Sequence, residues 1–209
     1  MPLRLARFCA IVDPVVRPDL PLAEIARALA EAGVRLVQLR DKQATSLVLL
    51  EQARQLLSLL PPDCSLIIND RADVAALAGA AGVHLGQDDL PVAAARALLG
   101  PQKIIGLSTH NQAQLEAAQT LPANYLALGP VFATATKADT EPVVGLERLR
   151  VLRRLTAKPL VAIGGITPEN AASVLAAGVD TVAVISGWLA AENIPQRLDE
   201  FRRVLGGLD

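Results

Sequence analysis

Short β-branched or leucine-rich runs alternate along the chain with longer stretches whose apolar residues recur at helical spacing. Eight of the short runs predict strands, at 8–12, 36–39, 66–68, 83–85, 104–107, 125–128, 160–163 and 181–185. Between them, Leu22, Ile25, Ala26 and Leu29 make one apolar helix face, and Gly33 sits where a left-handed residue ends a helix. Leu50, Ala53, Leu57 and Leu60 give a second face, stopped by Pro61-Pro62. Thr167-Pro168-Glu169 reads as an N-cap followed by proline at the first helical position. A last helix is expected over about 188–205, weaker in its middle near Pro195.

Three joints resemble one another: Ala32-Gly33-Val34, Ala81-Gly82-Val83 and Ala177-Gly178-Val179. Gly33 and Gly82 lie 49 residues apart and Gly82 and Gly178 lie 96 apart, close to two and four units of ~24 residues. Strand–helix alternation at that length implies parallel pairing, because parallel neighbours need a crossover element between them. Eight units nearly fill the 209 residues, which predicts an α/β fold, a single-domain (β/α)8 TIM barrel spanning 1–209. An open doubly wound sheet is the alternative.

Composition narrows the function. Twenty Lys+Arg against 21 Asp+Glu leave a formal charge of −1, so no general attraction to nucleic acid or an anionic membrane is expected. Aromatic residues are 2% of the chain, too few for a base-stacking platform. An apolar fraction of 52% excludes disorder, and no apolar run reaches the length of a membrane span. Cys9 and Cys64 are too few for a disulfide scaffold and fit a reducing compartment. Without a recognisable signal segment, a cytoplasmic address is expected. The number of copies in the working molecule stays open.

A barrel of this kind carries its active site at the C-terminal strand ends, and the polar residues fall there. The second strand leads into Gln38-Leu39-Arg40-Asp41-Lys42, the third into Asn69-Asp70, the fourth into Gly86-Gln87-Asp88-Asp89. The fifth ends in Ser108-Thr109-His110; Thr134-Ala135-Thr136-Lys137, Gly164-Gly165 and Ser186-Gly187 follow the last three. Gln38 and Arg40 alternate with Leu39 and so share one face, where a cation beside apolar sequence needs an anionic partner. Asp70 and Asp89 are carboxylates of the number a hard divalent cation takes alongside substrate phosphates, pointing to Mg2+; equally, each could cap the helix that follows. Neither His nor Cys clusters at zinc-ligand spacing. The Gly165 and Ser186-Gly187 turns stand where barrels often bind phosphate, through backbone N–H groups. His84, within a strand, reads as structural; His110 could act as an acid or base, although no Ser-His-Asp order is present. Cys64 and Trp188 read as packing.

Taken together, Val37-Gln38-Leu39-Arg40-Asp41-Lys42, Ile68-Asn69-Asp70, His84-Leu85-Gly86-Gln87-Asp88-Asp89, Gly106-Leu107-Ser108, Leu128-Gly129-Pro130-Val131-Phe132 with Thr134-Ala135-Thr136-Lys137, and Ile163-Gly164-Gly165-Ile166 resemble the thiamine-phosphate synthase family over essentially the whole chain. The resemblance implies a transferase joining 4-amino-5-hydroxymethyl-2-methylpyrimidine diphosphate to a thiazole phosphate, or its carboxylate, with release of diphosphate. Position by position, it assigns Gln38, Arg40, Lys42, Asn69, Ser108 and Lys137 to the pyrimidine diphosphate, and Thr134, Thr136, Gly165, Ile185 and Ser186 to the thiazole phosphate. Leu39, Asp41 and Ala135 join them as substrate-binding positions, and Asp70 and Asp89 are assigned to Mg2+. Arg40, Lys42, Ser108 and Lys137 carry the catalytic expectation. The sequence departs from the family at Ala133, where Pro is frequent, at Asp41, where Glu is common, and at Ala183, where Ser occurs. Three other readings share part of the pattern: a thiazole tautomerase-like sibling barrel using His110, another phosphate-binding barrel, which would explain Gly165 and Ser186 but not Asp70 with Asp89, and a non-catalytic protein that binds thiamine precursors.

Overall fold

A computed structural model describes residues 5–134 and 142–209. Eight parallel strands close into a barrel in chain order: β1 (Phe8–Val12), β2 (Leu36–Leu39), β3 (Ser65–Asn69), β4 (Gly82–Leu85), β5 (Ile104–Thr109), β6 (Tyr125–Leu128), β7 (Leu160–Ile163) and β8 (Thr181–Val184). Closure is made by β1 against β8, with Phe8 opposite Val182 and Ala10 opposite Val184. The barrel expected from the alternation is therefore the fold.

Each strand sends alternate side chains to opposite sides, and two cores result. Outward, Phe8, Ala10, Val37, Leu39, Ile68, Leu126 and their like pack beneath the helices. Inward, Cys9, Ile11, Leu36, Ile67, Tyr125, Ala127, Val161 and Ala183 fill the barrel. Both cores are continuous, so the strands are apolar on both faces, as parallel sheets require.

The helices are α1 (Leu22–Glu31), α2 (Ser46–Leu59), α3 (Ala72–Ala78), α4 (Val92–Leu99), α5 (Gln112–Ala117), α6 (Gly145–Arg153), α7 (Pro168–Leu175), α8 (Ser186–Leu189) and α9 (Ile194–Leu205). On α1 the buried positions are Ile25, Ala26 and Leu29, and Gly33 follows with φ +73°, as its spacing predicts. On α2 the buried face is Leu49, Ala53 and Leu56, one step from the expected Leu50–Leu57 phase. The helix carries leucines on both phases, so periodicity alone did not choose between them. The single last helix is two: Asn193 caps α9 through the Gln196 N–H at 3.0 Å and Pro195 takes its first turn, separating it from the short α8.

Candidate active site

The inward-facing series on each strand continues upward past the apolar layer and turns polar at the C-terminal end. Cys9 and Ile11 are followed by Asp13, Leu36 by Gln38 and Arg40, Ile67 by Asn69, and Gly106 by Ser108 and His110. One period of two therefore builds the floor of the mouth and its chemistry together.

On β2 and β3, the Gln38 amide Nε2 donates to Asn69 Oδ1 at 2.8 Å, joining two of the expected substrate contacts. Arg40 is paired with Asp13, a carboxylate only 1% exposed just past the end of β1. Its partner is the anion that the inward-facing cation demanded; the sequence reading missed it, although its place one step above Ile11 on the same phase is the signal. Leu39 faces the outer core, so any contact it makes with a ligand in the mouth is through its backbone. Asp41 is spent on its own loop, accepting from the Gln43 and Ala44 N–H groups and from Gln52 Nε2 at 2.9 Å.

Lys42 Nζ lies 3.2 Å from Asp70 Oδ2. Asp70 has φ 60°, the one positive value among the described non-glycine residues, and such strain persists where surroundings enforce it. It does not cap α3, whose N-cap position is Arg71, and Asp89 does not cap α4; Asp89 Oδ2 accepts the Gly86 N–H at 2.6 Å. The capping alternative is thus set aside for both carboxylates. Burial, and then the Asp89 carboxylate beside it, hold the Asp70 carboxyl above its usual range, while Lys42 pulls the other way. Two adjacent carboxylates with oxygen-only donors suit a hard divalent cation, which relieves their mutual repulsion. Among the described residues no group of three His, Cys, Asp or Glu forms a fuller protein cage.

Ser108 Oγ is 2.8 Å from His84 Nε2, and His84 Nδ1 is 2.9 Å from the buried Tyr125 hydroxyl. The three span β4, β5 and β6 across the barrel. Gly106 leaves room for them: a Cβ there would lie 2.1 Å from Tyr125 Cζ and 2.5 Å from His84 Nδ1. His84 is hydrogen-bonded at both ring nitrogens, and one of its partners is Ser108, an expected site residue.

A pocket of about 380 Å³ opens beside this cluster, over the ends of β5 to β8. Ser108, His110, Thr134, Gly165, Ile185 and Ser186 line it together with Pro142 and Val143. Its wall between β6 and α6 is tied to β7, with the Val131 N–H on Ile163 O at 2.9 Å and the Phe132 N–H on Gly164 O at 3.1 Å. Gly165 has φ +62°, and the first N–H groups of α8 have no acceptor inside the helix. His110 Nδ1 is 2.8 Å from Gly129 O; a carbonyl only accepts, so this nitrogen carries the proton. Ala135, Thr136 and Lys137 lie outside the described residues.

The closed fold and this mouth define a (β/α)8 barrel enzyme, its polar groups gathered at the C-terminal strand ends. The thiamine monophosphate synthase family model matches residues 8–188. The thiamine-phosphate synthase of Koribacter versatilis is 49% identical over 207 residues, covering 97% of each chain. That of Albidiferax ferrireducens is 46% identical over 192 residues, covering 91% of this chain and 88% of its own. Among solved structures, a thiamine phosphate pyrophosphorylase from Pyrococcus furiosus superposes with a TM-score of 0.87 at 34% identity, over 96% of both chains. The chain belongs to the thiamine monophosphate synthase family and is an enzyme of the transferase class.

Proposed function

We propose that the chain condenses 4-amino-5-hydroxymethyl-2-methylpyrimidine diphosphate with 4-methyl-5-(2-phosphoethyl)thiazole, or its carboxylate, giving thiamine phosphate and diphosphate. Family membership supports the reaction. The observation that carries the substrate assignment is the division of one mouth into two parts. The ionic cluster of Arg40, Lys42, Asp70 and Asp89 lies at β2 to β4, and the glycine-lined pocket lies at β5 to β8. A diphosphate fits the first and a monophosphate the second.

The Gln38–Asn69 pair offers amide groups to the pyrimidine, while Arg40, Lys42 and Ser108 take the diphosphate. Asp70 and Asp89 would hold Mg2+, which when bound supplies charge neutralisation at the leaving group. As the methylene carbon–oxygen bond breaks, its electron pair leaves on diphosphate, and the electron-rich pyrimidine carries the cation. Donors fixed in advance at that place are worth most in the transition state. The pocket orients the thiazole so that its nitrogen lone pair forms the new carbon–nitrogen bond. Gly165, Ile185 and Ser186 hold its phosphate, with Thr134 at the rim. No enzyme nucleophile takes part.

The test is diphosphate release and thiamine phosphate formation with both substrates, with and without Mg2+. Stoichiometric formation of the two products, lost on chelation, is expected. Binding of both substrates without turnover would make the chain a binding protein and sink the proposal.

A further inference from the structure

Asp13 was no part of the expected site, yet it is the most deeply buried charged group at the mouth. Its Oδ1 accepts the Val15 N–H at 3.1 Å and its Oδ2 pairs with Arg40 Nη1, so both carboxylate oxygens are used. The backbone is fixed as well: the Arg40 N–H donates to Val12 O at 2.9 Å, which sets the ends of β1 and β2 side by side. The two partners are unequal. Asp13 is a buried carboxylate, strongly unfavourable without a cation. Arg40 has several N–H donors, and among the described residues no acceptor other than Asp13 engages them.

We propose that Asp13 is a positioning residue: it anchors the Arg40 guanidinium at Nη1 and leaves the remaining donors for an anionic substrate. The inference rests on the reading of Arg40 as a diphosphate ligand. An arginine already held gives up less freedom when the substrate arrives, and its planar fork keeps one orientation. Asp13 lowers the positive potential of the mouth, so its benefit comes from orientation rather than charge. That gives the two effects opposite signs. If charge dominated, neutralising Asp13 would strengthen diphosphate binding; if orientation dominates, the same change weakens it.

Four variants decide the matter: Asp13→Asn, Asp13→Ala, Arg40→Ala and the double variant Asp13→Asn/Arg40→Ala. Asp13→Asn keeps the shape of the residue and an acceptor for the Val15 N–H, so it carries the test if Asp13→Ala does not fold. Two readouts are taken: competitive inhibition by inorganic diphosphate, and the KM of each substrate. Asp13→Asn is expected to weaken inorganic diphosphate and raise the KM of the pyrimidine diphosphate by about tenfold, leaving the acceptor's KM within about twofold. Placed on Arg40→Ala, it is expected to add less than about twofold, because the group it positions is gone. Unchanged or tighter diphosphate binding in Asp13→Asn, or an equal loss in both backgrounds, would overturn the inference. Arg40→Ala with normal diphosphate binding would overturn the site reading and this inference with it. Impaired Arg40→Ala beside a normal Asp13→Asn would overturn this inference alone.

Discussion

Gly165 shows how a residue chosen for one reason is held in place by another. Its position after β7 suggested backbone and space for a phosphate. In the fold, a Cβ there would lie 2.5 Å from Ala133 O and 2.7 Å from Phe132 Cβ, at a φ of +62°. A side chain therefore strikes the β6–α6 wall before it reaches any ligand. Gly165→Ala is expected to lower stability by about 1–2 kcal/mol from the left-handed backbone alone, with more from the contact. It should also disturb the KM of both substrates, as measured by thermal unfolding and steady-state kinetics. A native-like Tm with only the acceptor's KM raised would show that the wall does not matter. Cys9 makes a second residue-scale case. Burial, and then Cys64, push its thiol from the ordinary 9.0 to about 12. The folded chain thus holds this proton more tightly than the unfolded one. The resulting stability is fully present below about pH 9 and is lost as pH rises through the folded value. Denaturant unfolding from pH 8 to about pH 11 should show a shallower decline for Cys9→Ala than for the wild type. Parallel curves would contradict it.

At the scale of elements, the basic residues divide by which end of the barrel they occupy. At the floor, Lys103 Nζ donates to Ala80 O at 2.6 Å and Lys158 Nζ to Ala123 O at 3.0 Å. There too, Arg153 Nε reaches Gly178 O at 2.7 Å and Arg202 Nη2 reaches Ala32 O at 2.6 Å. Carbonyls in the turns after the helices are met in this way by cations from neighbouring elements. Arg96 does most, donating to Gly100 O at 2.9 Å, Lys103 O at 2.6 Å, Pro122 O at 3.1 Å and the Asn124 side chain. Arg96→Leu is expected to cost about 1.5–3 kcal/mol in urea unfolding and to leave both KM values unchanged, since nothing at the mouth touches it. Loss of activity at native stability would break this division of labour. The elements themselves were largely legible, because eight short β-rich runs separated by Gly and Pro leave little choice of strand. What was not legible follows from ambiguity of phase. The α2 face slipped by one residue, since Leu49, Leu50, Leu56 and Leu57 fit either register. The break between α8 and α9 needed the Asn193 cap, which reads as an ordinary polar residue until its partner is in place.

At the scale of the whole molecule, closing the barrel brings strand ends far apart in sequence onto one rim. The carboxylates were legible as a pair because their strands are neighbours. Asp13 was not, because its partner lies 27 residues on and its one local mark, the inward phase it shares with Cys9 and Ile11, does not name that partner. Nor was the His84–Tyr125 support of Ser108, which bridges 41 residues. The same closure divides the mouth, and that division is testable. Lys42 stands at the ionic side, paired with Asp70 yet more than half exposed, while Ser186 lines the pocket at the start of α8. If Lys42 grips the departing diphosphate, its charge matters most while the carbon–oxygen bond breaks. Lys42→Ala should then lower kcat as well as kcat/KM, by roughly 2–4 kcal/mol if it resembles the loss of other transition-state donors. The acceptor's KM should hardly move. On the proposed reading, Ser186 offers a neutral hydroxyl to a phosphate that does not react. Ser186→Ala should therefore raise the acceptor's KM by about 0.5–1.5 kcal/mol in binding terms, with kcat near wild type and the pyrimidine diphosphate's KM unaffected. Steady-state kinetics of both variants, each substrate varied in turn, separate the two halves. If both variants fail in the same way toward both substrates, the mouth acts as one undivided site and the assignment is wrong.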